Sequence, residues 1–174
     1  MRVETKKIFV YSDPHFGHKN VIKYCNRPYN NVSEMNSQLI KNFNSVVGKE
    51  DIVYILGDFS FLNMVSSKEI LNSLNGYKFL IKGNHDRKTN TAYRKMGFVE
   101  VYDKPIVLMN FFILSHEPID ENVGGLINIH GHLHQNGTNS YMSYCACVEK
   151  TDYKPVSLDE VEDACNKLYK RGEI

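Results

Sequence analysis

Five times along this chain a short apolar run ends in a cluster of Asp, His, Asn or Gly, and that recurrence restricts the fold more than any other feature. Ile8-Phe9-Val10-Tyr11 leads into Ser12-Asp13-Pro14-His15, and Ile52-Val53-Tyr54-Ile55-Leu56 into Gly57-Asp58. Phe79-Leu80-Ile81 leads into Lys82-Gly83-Asn84-His85-Asp86, and Phe111-Phe112-Ile113-Leu114 into Ser115-His116. Leu126-Ile127-Asn128-Ile129 leads into His130-Gly131-His132-Leu133-His134. Short runs rich in Ile, Val, Phe and Tyr read as buried strands. Polar groups at the carboxyl ends of such strands converge on the crevice where α/β sheets bind ligands. Every histidine (His15, His18, His85, His116, His130, His132, His134) falls in or within a few residues of one of these clusters. Histidines used only for packing would be scattered.

Between the runs lie helix-like stretches. Residues 33–47 place Met35, Leu39, Ile40, Phe43, Val46 and Val47 near helical spacing, with Gly48 as a stop. Residues 66–74 open on Ser66-Ser67-Lys68-Glu69, which has capping-box spacing, and end before Asn75-Gly76. Residues 157–170 open on a second such box, Ser157 to Glu160. Phe98 to Leu114 reads as two or three strands with turns at Asp103-Lys104-Pro105 and Met109-Asn110. The first half thus alternates strand and helix, and the second is strand-rich. The predicted class is α/β (α+β), a mixed sheet or two facing sheets with helices outside. No repeat, biased tract or linker divides the chain, so one domain over residues 1–174 is expected.

A formal net charge of +1 gives no reason to expect strong nucleic-acid binding. No apolar segment is long enough for a signal peptide or a membrane span, so a cytoplasmic protein with no membrane partner is expected. Cys25, Cys145, Cys147 and Cys165 then read as free thiols. Cys145 and Cys147, alternating along a strand, would share a face and serve packing.

The polar clusters suit a metal centre. In extended segments Asp13 and His15 share a face, as do His132 and His134. Asp58 supplies a carboxylate able to bridge, Asn84 an amide oxygen and His116 an imidazole. Oxygen and nitrogen donors without thiolate suit Mn, Fe, Zn, Ni or Co rather than a structural zinc site. Seven donors are too many for one tetrahedral ion, whereas two ions sharing Asp58 account for them. Paired ions about 3.5–4 Å apart can clamp the attacking and leaving oxygens of a phosphoryl displacement.

The ordered blocks D-x-H, G-D, G-N-H-D, H and G-H-x-H, running from Asp13 to His134, resemble those of the calcineurin-like metallophosphoesterase superfamily. Asp13-Pro14-His15-Phe16-Gly17-His18 and Tyr153-Lys154-Pro155-Val156-Ser157-Leu158 look like its small, stand-alone bacterial and phage members. The resemblance implies a two-sheet β-sandwich flanked by helices. It implies two divalent ions, manganese first, with iron, zinc, nickel or cobalt as the others. Asp13, His15, Asp58 and His134 would hold one ion, and Asp58, Asn84, His116 and His132 the other. Hydroxide between the ions would be the nucleophile. His85 would be the catalytic acid facing the leaving group, oriented by Asp86. The chain departs from the family where Gly57-Asp58 continues as Phe59-Ser60-Phe61-Leu62 instead of with a further acidic residue.

His18, Asn20, Arg27 and Arg87 are candidate contacts to substrate phosphate, while His130, inside its apolar run, is expected in the core. Tyr24, Tyr29, Tyr141, Tyr144 and Tyr153 lie outside the strand runs, with packing as their main expected use. The expected activity is hydrolysis of small phosphodiesters or phosphomonoesters, of nucleotide or cyclic-nucleotide type. The alternatives are a nuclease acting on polynucleotide ends and a metal-binding scaffold without turnover.

Overall fold

The computed structural model describes residues 6–119 and 124–172. Its strands are β1 (Ile8–Tyr11), β2 (Ile52–Ile55), β3 (Tyr77–Ile81), β4 (Glu100–Tyr102), β5 (Ile106–Leu108), β6 (Phe112–Leu114), β7 (Ile127–His130), β8 (Ser143–Cys145) and β9 (Val156–Ser157). Its α-helices are α1 (Val21–Tyr24), α2 (Val32–Val46), α3 (Met64–Ser73), α4 (Asn90–Met96) and α5 (Leu158–Arg171).

The strands form two sheets, in the orders β4-β3-β2-β1-β9 and β5-β6-β7-β8. In the first, β1 to β4 are parallel and β9 is antiparallel to β1. In the second, β6, β7 and β8 are parallel and β5 is antiparallel to β6. The expected class of two sheets flanked by helices is the one observed. The stretch Phe98 to Leu114 forms three strands, and the turn at 103–105 carries the chain from one sheet to the other.

Alternation along the strands builds two core clusters. Phe9 and Tyr11 of β1 join Val53, Ile55 and Leu80 beneath Met35, Leu39 and Phe43 of α2 and Leu71 of α3. Val10, on the opposite face of β1, joins Leu56 and Ile81 against Leu114, Ile129 and Ala146 and against Leu158 and Val161 of α5. Burying each such side chain is worth roughly 1.5–3 kcal/mol, which locks the register of β1 because a one-residue slip would exchange its faces.

The helix boundaries follow cap chemistry. Asn31 caps α2 by accepting from Glu34 N–H at 2.9 Å. The predicted box at Ser66 is corrected: Asn63 caps α3, accepting from Ser66 N–H at 3.0 Å, so Ser66 and Ser67 lie inside the first turn. The box at the start of α5 forms as expected, with Glu160 N–H donating to Ser157 Oγ and Ser157 N–H to Glu160 Oε2. Strand β9 and helices α1 and α4 were not expected from the sequence, and the strand expected through Cys145 and Cys147 forms as β8 but stops at Cys145. Tyr144 is therefore a buried strand residue, and Cys145 ends β8 while Cys147 lies past it, bridging Ser12.

Candidate metal centre

The polar clusters follow β1, β2, β3, β6 and β7 and meet at one end of the two sheets. Asp13 and Asp58 are buried, and both carboxylates are organised by hydrogen bonds. Asp13 Oδ2 accepts from Ser12 Oγ at 2.6 Å, His132 N–H at 2.8 Å and Cys147 Sγ at 3.3 Å. Asp58 Oδ1 accepts from His85 N–H at 2.9 Å. Their other oxygens face imidazoles. Asp13 Oδ1 lies 3.6 Å from His15 Nε2 and 3.8 Å from His134 Nε2. Asp58 Oδ2 lies 3.5 Å from His15 Nε2, 3.7 Å from His116 Nε2 and 4.0 Å from His85 Nε2. Burial opposes ionisation of Asp13, but its contact with His15 and the neighbouring His116 and His134 hold its carboxyl well below the usual range.

The donor set fits divalent cations. Asp13 Oδ1 and His15 Nε2 are buried and lack a hydrogen-bond partner, a costly arrangement unless a cation takes both. On the second side, His116 Nδ1 contacts the Leu56 carbonyl at 2.8 Å. Donation there leaves the Nε2 lone pair pointing into the site. That nitrogen meets Asn84 Oδ1 at 2.8 Å and His132 Nδ1 at 3.2 Å. Asp13, His15 and His134 form one compact donor group, and Asp13, Asp58 and His116 another. The backbone has to come close for this: a Cβ on Gly131 would overlap Ser12 Oγ and Asp13 Oδ2.

The pairs converge by a different route from the one expected. Asp13, His15, Asp58, His132 and His134 all have positive φ, between 50° and 68°. Strands β1 and β7 end before these residues, so the pairs Asp13/His15 and His132/His134 share a direction through left-handed backbone and not through strand alternation. Asp and His tolerate that region better than most residues, though each such residue costs of order 1–3 kcal/mol and persists where its surroundings hold it.

Two expected contacts are corrected. Arg27 does not face substrate. It is buried, its Nε and one terminal nitrogen bind Glu149 Oε1 at 2.9 and 2.7 Å, and its remaining N–H groups reach the Asp13 and Pro14 carbonyls, both at 2.8 Å. Asp86 does not touch the His85 ring. Its carboxylate accepts from Asp58 N–H at 2.7 Å, Gly83 N–H at 3.0 Å and Tyr93 Oη at 3.1 Å, tying the β2 and β3 loops together. Burial raises its pKa against those hydrogen bonds. His85 itself is open, with 40% of its side chain exposed. His18 is half-buried beside it, Asn20 and Arg87 are exposed, and His130 is buried as expected.

Nothing in the sequence pointed to Glu149, an acidic residue without a flanking motif. Its Oε1 contacts His134 Nδ1 at 3.0 Å, so the outer nitrogen of His134 faces a carboxylate while Nε2 faces the centre. Burial disfavours protonation of His134, but the Cys25 sulfur, Glu149 and Asp13 push its pKa up to about 10. Cys25, His134 and Glu149 are also close enough to hold a cation. Arg27 already neutralises Glu149, so the group reads as a hydrogen-bond network. Cys147, expected only to pack, touches both Asp13 and His134 N–H.

A model of the family described as calcineurin-like phosphoesterase matches residues 6–168, and the chain belongs to that family. Within it, the chain is similar to the uncharacterized protein MJ1445 of Methanocaldococcus jannaschii, 41% identical over 181 residues that cover 97% of this chain and 94% of the relative. It is also similar to the gene 66 protein of Mycobacterium phage L5, 41% identical over 78 residues covering 43% of this chain and 37% of that protein. Among solved structures, the protein of unknown function AQ665 from Aquifex aeolicus has a TM-score of 0.71 at 28% identity, covering 92% of this chain and 100% of its own. No helix among the described residues is long and apolar enough to cross a membrane.

Proposed function

We propose that this chain is a metal-dependent hydrolase of small phosphate esters, acting as one domain and holding two divalent ions that share Asp58. Asp13, His15, Asp58 and His134 would hold one ion. Asp58, Asn84, His116 and His132 would hold the other, with manganese the first choice. The observation that carries this reading is the set of buried donors without partners around Asp58. Its Oδ2 lies within 4.0 Å of three imidazole nitrogens, while Asp13 Oδ1 and His15 Nε2 beside it have no hydrogen bond.

Bound there, divalent ions would supply Lewis-acid charge and a water of lowered pKa for attack on phosphorus. The protein's own groups do the rest. His85 is held through its backbone N–H on Asp58 Oδ1, which leaves its ring free at the mouth of the centre to give a proton to the departing oxygen. Asp86 acts through the backbone, fixing the two loops that carry Asp58 and His85. Ser12, Cys147 and the N–H of His132 aim the Asp13 carboxylate, and Glu149 aims His134. Arg87 and His18 stand at the rim, where an anionic ester would arrive.

The test is to strip the protein with chelator, reload it with Mn, Fe, Zn, Ni or Co, and assay bis(p-nitrophenyl) phosphate. Turnover that requires metal and reaches its maximum near two ions per chain is expected. Full activity in chelator, or no turnover by protein shown to contain metal, would overturn the proposal.

A further inference from the structure

The loop after Asp58, where the chain departs from the family pattern, carries a residue that the proposed reaction does not use. Phe61 is 43% exposed, yet its position is fixed. Its N–H donates to the Phe16 carbonyl at 2.9 Å. Ser60 Oγ accepts from Leu62 N–H at 3.1 Å and from Ser67 Oγ at 3.0 Å. The ring stacks on His18 with centroids 4.1 Å apart and planes 15° from parallel. It lies 5.3 Å from the His15 ring and 5.0 Å from the His85 ring. A groove of about 450 Å³ opens beside it, lined by Ser60, Phe61, Leu62, His85, Arg87 and Lys88. That volume is in the range of small-molecule sites. Among the described residues, the ion pairs leave out both Arg87 and Lys88.

A fixed, solvent-facing ring beside the proposed proton donor, flanked by Arg87 and by Lys88, which is in no described ion pair but has its ammonium 6.0 Å from the centroid of the Tyr93 ring, suits a flat aromatic group joined to a phosphate. We propose that Phe61 is a platform for the base of a nucleoside phosphate ester, with Arg87 and Lys88 taking part of its negative charge. This rests on the phosphoesterase reading and narrows its substrate class. Stacking tolerates any base, because every base has a π face. The platform therefore selects for the presence of a base and not for its identity. A ring that only shielded His15 would affect metal retention instead.

The test compares adenosine 5′-monophosphate with ribose 5-phosphate, the same phosphate without a base, by calorimetry on manganese-loaded protein. Wild type should bind the first about 5- to 150-fold more tightly, the range that base–aromatic stacking supplies. Phe61→Ala should collapse that ratio towards one, Phe61→Leu should do the same while keeping apolar bulk, and Phe61→Tyr should preserve it. Thermal melting and metal content are measured for every variant. Arg87→Ala should weaken both ligands and leave the ratio. No preference in wild type, or an unchanged ratio in both Phe61→Ala and Phe61→Leu, would overturn the platform. So would loss of metal in those variants with the ratio intact. Metal-dependent hydrolysis of bis(p-nitrophenyl) phosphate by wild type separates the two readings. It persists if only the platform is wrong, and it is absent if the phosphoesterase reading is wrong.

Discussion

The donors on one side of Asp58 are more enclosed than those on the other: Asp13 and His15 are buried and His134 half-buried, against a buried His116, a half-buried His132 and an exposed Asn84. Asp13 is 0% exposed and His15 3%. His134 is tied through Glu149 to the buried Arg27, which also grips the carbonyls of Asp13 and Pro14. Opposite, Asn84 and His85 are exposed, His132 is half-buried, and His116 alone is deeply buried. Water can solvate the open donors but not the enclosed ones, so a cation relieves a larger desolvation penalty on the enclosed side. On the proposed two-ion reading, the more enclosed side would favour retention and the more open side exchange with substrate. A difference in ion affinity, tighter on the Asp13 side, is the expected consequence.

The largest expected effect breaks the comparison altogether. Asp58 faces both sides, so Asp58→Ala should weaken both ions by more than the roughly 10- to 100-fold that outer partners of a metal site contribute. Metal analysis after dialysis should then find less than one ion per chain. Retention of both ions at wild-type affinity would remove Asp58 from its shared role. His85→Ala should act only on the open side, lowering kcat by about 10²–10⁴-fold with metal content intact. The loss should shrink for leaving groups such as nitrophenolate, which hardly need a proton, and a uniform loss across a leaving-group series would argue against proton donation. Glu149→Gln should act only on the enclosed side, weakening the tighter ion about 10- to 100-fold. Calorimetric metal titration checks this, and weakening of the looser ion instead would reverse the assignment of sides.

The smallest effect lies outside both regions. Ser157→Ala removes the α5 cap and should cost about 1 kcal/mol, a fall of roughly 2–4 °C in Tm, with no change in metal content. The Ser157 hydroxyl and backbone N–H hold the Glu160 carboxyl below its usual range. Their contribution is therefore complete above the ordinary glutamate pKa and is lost as pH falls through the depressed folded value. The gap in Tm between wild type and Ser157→Ala should narrow in acid. A gap constant with pH would mean that Glu160 adds nothing to the cap.

The parts of this molecule readable in advance were those written in local chemistry. Ile, Val and Phe runs announced five of the nine described strands, the reading of Phe98 to Leu114 as two or three strands added β4 and β5, and Ser157 with Glu160 announced α5 because a capping box is a contact over three residues. Strand β9, only Val156–Ser157, is too short to stand out, and α1 and α4 are too short for a helical period to develop. The donors around Asp58 were legible from residue type and order. Their geometry was not, because left-handed backbone at Asp13 or His132 depends on what holds the turn, and Ser12, Asp13 and Gly131 meet only across the fold. Arg27 illustrates the same limit. An arginine near a phosphate-binding motif looks like a ligand contact, and only the partner 122 positions away, Glu149, shows where its guanidinium goes.

The left-handed turns also bear on how such a centre can change over generations. Apart from glycine, the residues that settle most readily at positive φ are Asn, Asp and His, which are themselves metal donors. At Asp13, His15, Asp58, His132 and His134, the substitutions that the backbone accepts with least strain thus belong largely to the ligand repertoire. A lineage drifting at these positions would sample new donor combinations, and so new metal preferences, more readily than it would lose a donor to an aliphatic side chain.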